Sequence, residues 1–233
     1  MSKIYKMRIV LHVSEQGPQH KDLLPAVREM IRSSGLDYVP AKVNARWPRL
    51  SCGPGVGKGL LAQREYIDIY LRKAVSPQQV RECLTAHAPQ GLTPLDVQRV
   101  PYALASLQQL ATAAVYEVQG DFAAYAPQKT FEQYISSERI GSIRRGANTI
   151  CLTVDIKPYV VEGHQVDDTH IRCTLTSVEE KWMNPLVLIY AWLGWEIPVP
   201  VEELTDERFK IIREGLYWKD TQHNLYPIGG REA

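Results

Sequence analysis

REYIDIYLRKAVSPQQVRECLTAHA, residues 64–88, holds two kinds of hydrophobic spacing side by side, and the switch between them decides the fold. From Arg64 to Lys73 the period is two: Ile67, Ile69 and Leu71 fall on one side of an extended chain, with Tyr66, Asp68 and Tyr70 on the other. From Ser76 to Ala88 the pattern is helical. Ser76 stands at an N-cap and Pro77 at the first helical position, where its missing N–H costs nothing. The stretch therefore predicts a strand followed directly by a helix.

Working outward, residues 4–14 (IYKMRIVLHVS) alternate as well. Met7, Ile9, Leu11 and Val13 oppose Arg8, Val10 and His12, which predicts a half-buried strand. Residues 22–35 place Leu23, Val27, Met30 and Ile31 on one helical face, with Asp22 as the expected cap and Gly35 as the expected stop. Residues 38–52 read as extended, interrupted by Pro40 and Pro48, and residues 91–100 as a strand. The resulting order is β-α-β-β-α-β, a ferredoxin-like unit. The second half repeats it: a strand at 113–121, a helix at 127–138, a hairpin of 148–161 with 169–177 across EGHQVDD, a helix at 184–194 capped by Asn184, and a strand at 208–218. The expectation is an α+β protein of tandem ferredoxin-like units with mostly antiparallel sheets, one at 1–103 and one at 104–233.

Each such unit leaves one sheet face without helices. In the first it carries Arg8, Val10, His12, Tyr66, Asp68 and Tyr70. Aromatic residues there resemble the base-stacking surface of RNA-recognition modules, although the RNP1 sequence is absent. Packing against the second unit is the competing expectation. In the second unit the expected hairpin sets Thr153, Asp155 and Lys157 beside Arg172, Thr174 and Thr176 as a polar face. The mixed alternation of the last strand leaves Arg213 and Tyr217 unoriented.

Upstream of the opening stretch lies SCGPGVGKGLL, 51–61, which has the look of a phosphate-binding loop. Such a loop needs Gly, four residues, then Gly-Lys-Ser/Thr. No glycine here has that spacing from Gly57-Lys58, and Gly59 replaces the hydroxyl residue. No nucleotide site is expected. The loop is nevertheless basic: Lys42, Arg46, Arg49, Lys58 and Arg64 occur between 41 and 64 without an acid, and Trp47 sits among them. That composition suits RNA backbone, or an acidic protein surface.

The chain has 233 residues, a formal net charge of +1, 45% hydrophobic and 23% charged residues. This is a globular composition, and the near-neutral balance argues against a general nucleic-acid binder. The longest apolar run, PLVLIYAWLGW at 185–195, is shorter than a membrane-spanning helix requires, so no membrane contact is expected. The N-terminus alternates like a strand and lacks a signal-peptide cleavage pattern, which places the protein in the cytoplasm. Cys52, Cys83, Cys151 and Cys173 are widely separated, so neither a zinc nor a redox motif is expected. His20 and Asp22 at the helix start and Glu65 and Asp68 on the strand suggest acid–base or metal chemistry. Glu65 and Asp68 have opposite parity, however, and face opposite ways. No catalytic residue, metal or cofactor is assigned. His87, His164, His170 and His223 fall in helix-end, loop and tail contexts where solvation is the expectation.

HKDLLPAVREMIRSSGL, PRLSCGP and REYIDIYL together resemble the radical SAM-linked protein family of bacteria. Its members carry a segment like S-H-L-D-L before a helix ending R-R-A-G-L, then P-R-I-S-F-G-P and E-Y-L-D-L. The resemblance keeps His20, Asp22 and Leu23 from the first motif, Pro48, Arg49, Ser51, Gly53 and Pro54 from the second, and Glu65, Tyr66 and Asp68 from the third. SLQQLATAAVYEV and IIREGLYW resemble later segments. The family's G-F-H-P-H turn is here VNARW, 43–47, so any ligand role of those histidines is lost or replaced. The resemblance implies an accessory protein to a radical SAM enzyme, of unknown function, with no established catalytic residues. The expected function is a non-catalytic accessory subunit that binds RNA or presents a substrate to that enzyme. Lys42, Arg46, Trp47, Arg49, Ser51 and Lys58 are the expected contact loop, and Arg8, His12, Tyr66 and Tyr70 a second surface. The alternatives are a protein–protein module without a nucleic-acid role and a standalone RNA-processing enzyme.

Overall fold

The computed structural model describes residues 3–18, 20–145, 151–198, 200–222 and 224–229. In chain order the strands are β1 (Tyr5–Val13), β2 (Leu50–Cys52), β3 (Leu61–Ala62), β4 (Arg64–Leu71), β5 (Leu92–Val100), β6 (Ala113–Gln119), β7 (Gly141–Arg145), β8 (Cys151–Asp155), β9 (Val160–Asp167), β10 (His170–Thr176), β11 (Glu196–Ile197), β12 (Lys210–Lys219) and β13 (Leu225–Pro227). The α-helices are α1 (Leu23–Ser33), α2 (Pro77–Thr85), α3 (Leu107–Leu110), α4 (Phe131–Ile135) and α5 (Pro185–Leu193). The protein is α+β, and its sheets are mostly antiparallel, with β7 and β11 forming a parallel pair. Two compact units divide it. The first comprises Met1–Gly55, Ala62–Ala111 and Tyr217–Ala233; the second comprises Val56–Leu61 and Thr112–Leu216.

The first unit is built on a sheet of order β2-β4-β1-β5. The register aligns Met7 with Ile69 and Ile9 with Ile67, so the odd-numbered apolar residues of both strands form one continuous face. Val27, Met30 and Ile31 of α1 and Val80 and Leu84 of α2 close over it as one hydrophobic core. α2 begins as its sequence dictates, with a full capping box: Ser76 accepts from the Gln79 N–H and the Gln79 side chain returns to the Ser76 N–H. α1 does not begin on the expected cap. A 3-10 turn, His20–Asp22, runs directly into it, and the Asp22 side chain makes no capping hydrogen bond. At its end Gly35 takes φ +72°, the left-handed stop its position requires.

The second unit has a sheet of order β12-β6-β10-β9. Both sheets thus place their first strand between the third and the last. A smaller sheet, β11-β7-β8, is inserted beside it. This insertion corrects the expected hairpin. Thr153 and Asp155 belong to β8, which pairs with β7, so they share no face with Arg172, Thr174 and Thr176. The partner of β10 is β9, which contains most of EGHQVDD, and the turn shrinks to Asp168-Thr169. Those polar residues read as a loop because β9 is an edge strand with most side chains exposed. Its edge is blunted from α4, where Glu132 accepts a 2.6 Å hydrogen bond from the Gln165 N–H. α4 itself is one short turn-and-a-half rather than the expected helix over 127–138. The uneven alternation of β12 also resolves: Ile211, Arg213 and Gly215 are buried, then Leu216 follows immediately, at the point where the chain leaves the second unit for the first.

Among the described residues no helix is long and apolar enough to cross a membrane.

A candidate contact arm on the first unit

Residues 38–49 bind themselves into an arm rather than a loose loop. Pro40 and Pro48 face each other in a bridge. The Ala41 N–H donates to the Trp47 carbonyl (2.7 Å), the Trp47 N–H to the Asn44 carbonyl (3.0 Å), and the Tyr38 hydroxyl to the Arg46 carbonyl (2.9 Å). Asn44 also accepts from the Arg46 N–H, as asparagine does in tight turns. Lys42, Val43, Arg46 and Trp47 are all exposed on this arm, Val43 at 97% and Trp47 at 43%. Arg28 of α1 lays its guanidinium 4.3 Å from the Trp47 ring centre.

Arg49 behaves differently. Its guanidinium stacks 4.2 Å from the Tyr70 ring centre and donates to the Tyr102 hydroxyl at 3.3 Å. Arg49 therefore braces the arm against the sheet instead of reaching outward. Burial raises the Tyr70 phenol above its usual value, against the opposing pull of Arg49. Ser51 is half-buried on β2, opposite Asp68. Lys58 is exposed but belongs to the second unit, so it is not part of this arm. The glycine-rich stretch leads into strands, whereas a phosphate-binding loop opens a helix.

The second expected surface is closed within the first unit itself. Arg8 lies 4% exposed, with Nε and Nη2 donating to the two Asp68 oxygens at 2.8 and 3.1 Å. Lys6 joins them, with Nζ 3.1 Å from Asp68 and donating to the Leu104 carbonyl at 2.9 Å. The segment after β5 is thereby clamped onto the face. Tyr102 packs edge-on against Tyr70, and Gly229 near the C-terminus sits against Val10 and Tyr66. Arg8, Tyr66 and Tyr70 are thus buried rather than presented, which corrects their expected role as an accessible stacking surface. His12, at the end of β1, is half-exposed with Nδ1 3.1 Å from the Gln63 carbonyl.

The remaining motif residues do not converge. Asp68 is fully buried on the clamped face, while Glu65 lies on the helix-packed face opposite Leu11. His20 begins the 3-10 turn, and its side chain lies outside the described residues, as does His223. Among the described residues, no three His, Cys, Asp or Glu side chains gather closely enough to hold a metal ion. Sequence reasoning missed Arg28, Lys6 and Tyr102. Nothing in their spacing marks them, because each acquires its role from a partner distant in the chain.

Residues 18–185 match a family described as an uncharacterized protein conserved in bacteria (DUF2344). The chain belongs to that family. The matched region contains the whole arm, Arg28, and the Asp68 strand, so the DUF2344 pattern covers the site as well as most of both units. No curated protein matches the chain.

Proposed function

We propose that this chain is a non-catalytic accessory protein that binds RNA, or otherwise presents a substrate, for a partner radical SAM enzyme, through two ferredoxin-like units of which the first carries the grip. The partner is suggested by the resemblance of its motifs to radical SAM-linked proteins. The observation that carries the grip is the arm at 38–49: two exposed cations, Lys42 and Arg46, and an exposed tryptophan, Trp47, on one self-braced segment that contains no acidic residue. A rigid basic arm holds an anionic chain at small entropic cost, because its ordering is complete before binding.

The test is affinity capture of the tagged chain from its native host, split into nuclease-treated and untreated halves, with proteins and RNA both identified. A defined RNA together with a radical SAM enzyme in the untreated half supports the proposal. Recovery of the same enzyme in both halves with no enriched RNA supports instead a protein–protein module, the reading favoured by the fully exposed apolar side chain of Val43. Recovery of neither defeats both.

A further inference from the structure

Arg28 is the least explained side chain near the arm. Its Nε is buried and has no hydrogen-bond partner among the described residues. A buried guanidinium nitrogen left in that state is costly and calls for a reason. Its guanidinium lies over the indole of Trp47, whose backbone is pinned on both sides at Ala41 and Asn44. One face of the ring is thus backed by a cation while the residue keeps 43% of its surface exposed. Lys42 and Arg46 flank it in sequence, both exposed.

We propose that Trp47, backed by Arg28, is a stacking platform for a single unpaired base of an RNA strand, with Arg46 and Lys42 meeting the adjoining phosphates. This rests on the reading of the arm as the grip and names what it grips. A base in a duplex has both faces occupied by its neighbours and cannot lie on the ring, so the ligand is single-stranded. Stacking on an aromatic ring accepts any base, so the site reads strandedness before sequence. The guanidinium behind the ring holds the indole against rotation and adds positive potential where phosphates arrive.

The experiment titrates the full-length chain with a short labelled single-stranded RNA and with a duplex of equal length, by fluorescence anisotropy across a salt series. The single strand is expected to bind and the duplex to bind at least ten-fold more weakly. Trp47→Leu is expected to weaken binding about ten-fold without changing the salt slope, and Trp47→Phe to keep most of the affinity. Arg46→Ala is expected to lower the slope by about one phosphate contact. Arg28→Gln is expected to weaken binding several-fold. Urea midpoints of all variants, matched to the parent, keep folding defects apart from binding. Binding that drops with Arg46→Ala but is untouched by Trp47→Leu would overturn the platform and leave the arm as a purely electrostatic grip. Equal affinity for the duplex would overturn it too. A parent chain that binds neither RNA at low salt would overturn the platform and the RNA reading of the arm together.

Discussion

Asp68 is one carboxylate set between two cations, Lys6 and Arg8, and all three are nearly inaccessible to water. Desolvating this set is expensive, and the geometry is what offsets the cost: five hydrogen-bonding or ionic contacts converge on it from β1, β4 and the segment after β5. Asp68→Asn leaves two buried cations without a counter-charge and is expected to cost about 3–5 kcal/mol in urea unfolding. A loss under about 1 kcal/mol would show that water reaches the cluster. In the second unit Asp206 makes the opposite bargain with an outer partner. Arg208 donates to it at 2.6 Å and rests on the Trp195 ring, while the Tyr190 hydroxyl donates at 2.7 Å. These hydrogen bonds, Arg208 first, hold the Asp206 carboxyl down to about 2. A depressed acid stabilises the fold above its unfolded value and loses that contribution as pH falls through the folded one. The stability gap between the parent and Asp206→Asn should therefore be widest above about pH 4 and close toward pH 2. A gap that is flat across that range would exclude the ion pair as its source.

Among the elements, helix starts separate what is written locally from what is not. Ser76, Ser106 and Thr130 each head a complete capping box with a glutamine three residues on. Asp22 has the right chemistry in the right place, yet the 3-10 turn holds its backbone in a helical conformation, and the side chain cannot reach back. Ser76→Ala should cost about 1 kcal/mol, whereas Asp22→Ala should change the urea midpoint little. Equal losses would mean that Asp22 caps α1 in solution. Strand edges behave the same way. β4 is recognisable because one face is apolar and one polar, but β9, exposed along most of its length, carries no such contrast and is defined by its pairing with β10.

At the scale of the whole molecule, the first unit is completed by residues that come last in the chain. β13 pairs with the end of β12, with Trp218 stacked on Tyr226 at 4.7 Å, and the following Ile228 is buried. Gly229 takes φ +98°, and a Cβ there would lie 2.7 Å from a Val10 methyl. Gly229→Ala is expected to destabilise by about 1–3 kcal/mol, through both strain and collision, and Ile228→Ala by about 2–5 kcal/mol. Thermal melts of the two variants check this. Unchanged melting would show that the C-terminal segment is dispensable for the first unit.

The sequence by itself determined the order of the first unit's main strands and helices, the α+β class, the apolar faces of β1, β4 and α1, and the caps of α2 and α5, because period and capping depend on residues within a few positions of one another. It also marked the basic composition of the arm. Tertiary structure alone decided that the helix-free face of the first sheet is covered, that Arg49 turns inward while Arg46 stays out, that Trp47 is backed by Arg28, and that β7 and β8 join β11 in a separate sheet. Apart from the β7–β8 pairing, these rest on groups far apart in the chain, such as Lys6 with Leu104 or Val10 with Gly229, and no local pattern records which distant segment will supply the other half of a contact.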